Sequence, residues 1–234
     1  MAVPGEDGDM LVYSSTQHPS EIQHHVAHIL GLDSHAVTVE TRRMGGGFGG
    51  KETQGALFAV VAALLAQKTG RPVKLRADRD DDMVMTGKRH DFIADYTVAF
   101  DDEGVIRGVE FMLASRCGMS PDLSGPVNDR AVFHADNAYY LPHATIVSHR
   151  CKTHTVSNTA FRGFGGPQGM MVTEYAMDEI ARTLGLDPVT VRKRNYYGKR
   201  DRNITPYTMK VEDNILHELT AELEAERQAN PALR

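Results

Sequence analysis

The chain has 234 residues, 41% of them hydrophobic, enough to bury a substantial core as one domain or two small ones and too apolar for a disordered tail. Its formal net charge of −5 is spread without long like-charge blocks, so neither nucleic acid nor an anionic membrane is an expected partner. Cys117 and Cys151 are too few for a disulfide framework, a zinc site or an iron–sulfur cluster, and no apolar run is long enough to cross a bilayer, which predicts a cytoplasmic protein.

A short Pro/Gly/acidic lead, Met1 to Asp9, enters a strand-like run at Met10 to Tyr13. After a polar turn ending at Pro19, Ser20 and Gln23 have the spacing of a capping box. They predict a helix to Leu30 that buries Ile22, Val26, Ile29 and Leu30 and stops at Gly31. His24 and His28 lie one turn apart on it and could grip a metal, but the glutamate of a zinc-protease motif is missing, and a solvated helix face is the better reading.

The β-branched run Val37-Thr38-Val39 leads into Met44-Gly45-Gly46-Gly47-Phe48-Gly49-Gly50-Lys51-Glu52. Glycines crowded around one aromatic, between a strand end and a helix N-terminus, let backbone N–H groups approach something bulky and electron-rich. Gly45, Gly50 and Lys51 nearly spell a phosphate-binding P-loop. Glu52 stands where Ser or Thr must hold Mg²⁺, however, and its carboxylate would face the phosphates, which argues against a nucleoside triphosphate.

A helix from Thr53 to about Lys68 presents Ala56, Leu57, Val60, Val61, Leu64 and Leu65 as a core face and ends at Gly70. Val73 to Leu75 reads as a strand, and Asp78 to Asp82 as a solvated turn whose acids pair with Arg76 and Arg79. Alternation from Phe92 to Phe100, a turn at Asp101 to Gly104 and a run from Val105 to Leu113 predict a β-hairpin. Loop signals at Gly118 to Val127 lead into Asn128 to His134, where Arg130 reads from composition alone as a surface residue. A strand-like run, Ala144 to Val156, feeds a second glycine loop, Phe161-Arg162-Gly163-Phe164-Gly165-Gly166-Pro167-Gln168-Gly169. The tetrad Gly-Phe-Gly-Gly thus occurs twice, each time opening a helix, which suggests two loops clamping one flat, polyanionic ligand; two unrelated tight turns are the plainer alternative. The second helix should bury Met171, Val172, Tyr175, Ala176 and Ile180 and end near Gly185. Asp187 and Pro188 then start a helix whose Arg192, Lys193 and Arg194 form a solvated face, and a last helix from Asp213 or Asn214 carries Ile215, Leu216, Leu219 and Leu223 as its apolar stripe.

On Ser15-Thr16-Gln17, the first glycine loop through Glu52, Arg130-Ala131-Val132-Phe133-His134 and the second glycine loop, the chain resembles the molybdenum hydroxylase family, which includes xanthine dehydrogenase and aldehyde oxidase. Within it the likeness is to the molybdenum-binding subunit of the purine-oxidising members, which have Glu and Arg where Glu52 and Arg130 stand. The resemblance implies an α+β fold of mixed sheets with packed helices and a partial molybdopterin-binding domain over residues 1–234. By the same likeness, an N-terminal domain and a C-terminal portion with the catalytic base glutamate lie elsewhere. It implies a molybdenum–molybdopterin cofactor whose metal centre is approached by the Gln17 side chain and the backbone amides of Phe48 and Arg162, with Gly47 and Gly49 also cofactor-binding. Glu52 and Arg130 are then catalytic and substrate-binding residues on opposite edges of a hypoxanthine or xanthine ring oxidised toward urate, and Phe164 stacks on it. Iron–sulfur clusters and FAD are expected on other domains or subunits, which are the implied partners together with the remainder of the molybdenum subunit. The alternative is a catalytically silent product or assembly module that binds partner subunits.

Overall fold

The alternation that marks Met10–Tyr13 as a strand, with Met10 and Val12 turned inward, sets the first sheet. In the computed structural model, which describes residues 1–230, β1 (Ala2–Pro4) pairs antiparallel with β2 (Met10–Tyr13), and β2 pairs in parallel with β3 (Val37–Glu40). A parallel pair needs a crossover, and α1 (Pro19–Leu30) supplies it. The chain forms two units. The first comprises Met1–His90, Arg116–Gly125 and Arg150–Phe164; the second comprises Asp91–Ser115, Pro126–His149 and the chain from Gly165 onward.

In the first unit α1 ends at Gly31, which takes the left-handed conformation the sequence predicts. The capping box does not form: the helix starts at Pro19, and Gln23 instead donates to the carbonyls of Ser34 and Val37 at 2.9 and 2.8 Å, tying α1 to the start of β3. α2 (Gly55–Thr69) packs on α1 through Ala59, Ala62, Ala63 and Ala66, so its small residues face the core. Of the expected face, Ala56 and Val60 do pack against this core, while Leu57, Val61 and Leu65 are turned out, exposed by 50%, 38% and 44%. Periodicity alone could not choose, because the helix is apolar all round, and alanine permits the closer helix approach. The strand expected at Val73–Leu75 reduces to a single bridge between Val73 and Ala2. The acidic run is likewise no turn: Asp78 caps α3 (Arg79–Met85) by accepting from the Asp81 N–H at 2.8 Å, and Asp80, Asp81 and Asp82 lie in the first turn, where the helix dipole favours them and where none has an arginine partner among the described residues.

The second unit is built on the predicted hairpin: β4 (Phe92–Phe100) pairs antiparallel with β5 (Ile106–Gly118), with Phe92 opposite Ser115, and β6 (Ala144–Lys152) completes the β4-β5-β6 sheet. Its core joins Ile106, Phe111 and Leu113 to Val172, Met177 and Ile180 of α5 (Gly166–Leu184). Met171 and Tyr175, expected inside α5, are exposed. α4 (Ser124–Phe133) begins within the stretch read as loop. Asp187 caps α6 (Pro188–Asn195) through the Thr190 N–H at 2.8 Å, as predicted. Its basic residues are not simply solvated: Arg192 donates twice to Glu174, at 3.0 and 2.8 Å, and pairs with Asp178, while Lys193 pairs with Glu224 of α7 (Leu216–Ala229). In α7 the predicted stripe of Ile215, Leu219 and Leu223 faces outward.

Candidate cofactor and substrate site

The loop between β3 and α2 is held by residues that precede it by some thirty positions. The Thr16 hydroxyl and Gln17 N–H both donate to the Lys51 carbonyl, at 3.1 and 2.8 Å. The Gln17 side-chain oxygen accepts from Gly49 N–H at 2.8 Å and Lys51 N–H at 3.3 Å, which fixes the orientation of the amide and leaves Nε2 as its donor toward a ligand. A Cβ on Gly47 would stand 2.3 Å from that oxygen, so glycine is what lets Gln17 reach the loop.

Phe48 is left-handed, with φ of +52°, and 63% exposed. Such a backbone costs a non-glycine residue about 1–2 kcal/mol and persists where neighbours over-determine it. Here the Gln17 clamp fixes one side, and the Phe48 carbonyl accepts from Arg162 N–H at 2.9 Å on the other. Among the described residues the N–H groups of Gly47 and Phe48 have no acceptor, leaving two backbone donors on a glycine-stripped surface.

The amide of Arg162, expected at the metal centre, is engaged within the protein by that bond to Phe48, and its carbonyl accepts from Arg89 Nη2 at 2.6 Å. Its guanidinium lies 5.9 Å from the Phe48 ring centre. Phe164 repeats the backbone of Phe48, with φ of +51°, and its N–H donates to Phe161 O at 2.9 Å.

Glu52 is half-buried, and among the described residues its carboxylate has no hydrogen-bond or ion-pair partner, so it is available to a ligand. Arg130 belongs to the second unit, where it sits exposed in the last turn of α4 and donates from Nε to His134 Nε2 at 3.2 Å. That contact puts the proton of a neutral His134 on Nδ1 and restrains the guanidinium.

Three features beside the loop have no pattern in the sequence. Lys51 Nζ donates to Ser15 Oγ and Met44 O, at 2.9 and 2.7 Å, closing the loop's base. Asp122 accepts from Thr53 Oγ1 at 3.0 Å and Gln54 Nε2 at 2.8 Å where the loop enters α2, and burial pushes its carboxyl above the usual range against those bonds. A cavity of about 510 Å³ lies within the first unit, walled by Gly47, Gly50 and Lys51 on the loop side and by Gly87 to Arg89 and Phe161. Each depends on segments distant in sequence, so neither spacing nor composition announces it.

Residues 1–196 match the family model for the molybdopterin cofactor-binding domain. The chain belongs to that family. It is 48% identical over 213 residues to a xanthine dehydrogenase/oxidase of Gallus gallus and 42% identical over 223 residues to a xanthine dehydrogenase of Dictyostelium discoideum, covering 91% and 95% of this chain and 16% of each relative. The chain therefore spans about a sixth of the length of the curated relatives it matches. Among solved structures it superposes on the aldehyde oxidoreductase of Desulfovibrio gigas with a TM-score of 0.86 at 29% identity, over 97% of this chain and 25% of that one. The expected α+β fold of the molybdopterin-binding domain is thus observed.

The residues present fit the family's cofactor. Molybdopterin needs many hydrogen-bond donors and no bulk at its plane of contact, and the first loop supplies the Gly47 and Phe48 N–H groups, Gln17 Nε2 and bare glycine backbone. Arg89, whose Nη1 is buried with no acceptor among the described residues, is among the residues of the adjoining cavity. No group of three or more His, Cys, Asp or Glu among the described residues could hold a metal ion.

Proposed function

We propose that this chain forms part of the molybdenum site of a purine hydroxylase, an oxidoreductase that converts hypoxanthine or xanthine to urate. The observation that carries the reading is the clamped Gln17–Phe48 loop, whose unengaged donors suit a group of metal-bound oxygens. The likeness to xanthine dehydrogenases over 91% of the chain supports the purine as substrate. When bound, molybdopterin supplies the redox and oxygen-transfer centre. The chain's own residues do the rest of what is proposed here. Gln17 Nε2 and the Phe48 N–H orient oxygen ligands, and Glu52 receives one edge of the purine. Arg130 stabilises negative charge gathering on the ring with charge-assisted hydrogen bonds, and Phe164 offers a stacking face. The Arg162 amide joins this set only by releasing Phe48 O; held as it is, Arg162 shapes the loop.

Iron–sulfur clusters and FAD, carried by other domains or subunits, complete the electron path, and the compartment is the cytoplasm. The apolar outer stripe of α2, Leu57, Val61 and Leu65, supports burial against further polypeptide of the same enzyme, since a helix apolar all round is at home only when covered. The same stripe is what a catalytically silent assembly module would use, and one experiment separates the two readings. The chain is produced within the complete enzyme and alone, and both are analysed for molybdenum and for xanthine-dependent dye reduction. The enzyme should hold about one molybdenum per copy and reduce the dye, and the 234-residue chain alone should do neither, lacking a residue that matches the family's base, whose help is worth about 10²–10⁴ in rate. A complete enzyme that keeps molybdenum and full xanthine turnover after Gln17→Ala and Glu52→Ala would overturn the assignment.

A further inference from the structure

The cavity beside the first glycine loop collects positive charge that no ion pair among the described residues neutralises. Lys51, Lys88 and Arg89 line it, against a single carboxylate, Asp82. Every bond these cations make is to a neutral oxygen. Lys51 Nζ donates to Ser15 Oγ and Met44 O; Lys88 Nζ donates to Thr86 O at 2.6 Å, Thr86 Oγ1 at 3.1 Å and Asp82 O at 3.5 Å; Arg89 Nη2 donates to Arg162 O. Among the described residues none of the three forms an ion pair, whereas Arg107, Arg182, Arg192, Lys193 and Lys199 all do.

Arg89 is the most constrained. Its guanidinium lies 4.5 Å from the centre of the Phe161 ring, its backbone carbonyl accepts from Asn158 Nδ2 at 3.1 Å, and its Nη1 is buried without an acceptor among the described residues. Overall the chain is net negative, so the attraction here is local and owes nothing to a general basic surface.

We propose that this cavity is a binding site for a phosphate-class oxyanion, with the charges of Arg89, Lys51 and Lys88, which all line it, gathered around the anion. Three cations presented from two segments, Lys51 on the glycine loop and Lys88 with Arg89 after α3, suit a tetrahedral anion, which offers several oxygens in different directions, better than a planar carboxylate. The volume, about 510 Å³, exceeds a lone anion and leaves room for an organic body attached to it, so the ligand class is a phosphate ester of a small molecule. The objection that Glu52 raises against a phosphate on the glycine loop does not reach this cavity, because Glu52 is not among its walls. The ester is either the phosphate arm of the cofactor proposed above or a free phosphate ligand, and the site stands on charge and volume in both cases.

The test uses the full 234-residue chain, its fold checked by circular dichroism, titrated with inorganic pyrophosphate by calorimetry and ³¹P NMR. Binding is expected at millimolar concentration or below, weakened about tenfold to hundredfold by Arg89→Met and less by Lys88→Met, and unchanged by Lys193→Met, whose cation is already paired with Glu224. Should Arg89→Met fail to fold, Lys88→Met against Lys193→Met decides. No binding, or equal binding by the Lys88→Met and Lys193→Met variants, overturns the proposal. Repeating the titration on the complete molybdenum-loaded enzyme assigns the source: pyrophosphate excluded there identifies the cofactor's own phosphate arm, and pyrophosphate still bound identifies a free ligand. An enzyme without molybdenum whose chain binds pyrophosphate leaves this site standing and removes the cofactor reading, so the two fail separately.

Discussion

The two Gly-Phe-Gly-Gly tetrads share a spelling and a backbone, yet the chain fastens them by different means. Phe48 and Phe164 have φ of +52° and +51°, and the glycines after them +91° and +96°. The first tetrad is held by side chains: Gln17 grips the N–H of Gly49 and that of Lys51 just beyond the tetrad, Lys51 ties its base and Asp122 anchors its exit. The second is held at its exit by bare backbone contact, since a Cβ on Gly165 would stand 1.9 Å from Val127 O and one on Gly169 2.0 Å from Ala131 O. A tetrad's spelling therefore dictates its turn, while the neighbours decide whether polar groups are left over for a ligand.

The sharpest way to break this comparison is Gly165→Ala. A methyl group cannot occupy space 1.9 Å from a carbonyl oxygen, and the left-handed φ adds its own strain, so α5 must shift off α4 at a cost of about 4 kcal/mol or more. Denaturant melts should show the second unit largely unfolded. Gly50→Ala, whose Cβ would meet only Gly47 O at 3.4 Å, should move the midpoint little. Equal effects from both would mean that the second loop is not held by close packing.

Next in size is Arg130→Met in the complete enzyme. Removing a charge-assisted bond of about 1.5–3 kcal/mol should lower kcat/KM for xanthine about tenfold to hundredfold and leave aldehyde oxidation nearly unchanged. Steady-state kinetics with both substrates check this, and parallel losses would remove Arg130 from purine recognition.

Gln17→Leu should act on the first loop alone. Losing the acceptor for Gly49 and Lys51 N–H costs about 1 kcal/mol, and hydrogen exchange at those two amides should accelerate while Gly165 to Gly169 keep their protection. Uniform exchange across both loops would show that Gln17 does not clamp the first.

What the sequence made legible follows the same division. Local chemistry was readable: Gly31 as a helix stop, Asp187 as a cap, the Phe92–Phe100 hairpin and the helix openings after both glycine loops. Choices between faces were not. In α2 and α5 the apolar residues surround enough of the helix that tertiary packing selects the buried side, and alanines and Met177 win over Leu57, Leu65, Met171 and Tyr175. Long-range polar contacts were also silent, because nothing local to Asp122 or Arg89 says that Gln54 or Arg162 will be its neighbour.

The smallest expected effect uses the one charged anchor that distinguishes the loops' exits. Asp122 holds Thr53 and Gln54 at the start of α2 from a site where burial raises its carboxyl above the ordinary value of about 4. A carboxyl whose folded value lies above its unfolded value binds its proton more tightly in the folded state. It adds stability in full below the ordinary value, and that contribution is lost as pH rises through the raised one. The stability of the native chain relative to Asp122→Asn, which cannot titrate there, should therefore fall as pH climbs from about 4 toward the raised value and stay flat above it. Urea midpoints of the two proteins across that range measure the difference, and hydrogen exchange locates it: the pH response should appear at Gly50 to Gly55 and be absent from Gly165 to Gly169, whose exit is held by uncharged backbone. A relative stability that rises with pH in this window would mean that the hydrogen bonds from Thr53 and Gln54 outweigh burial and that Asp122 grips the first loop best when charged.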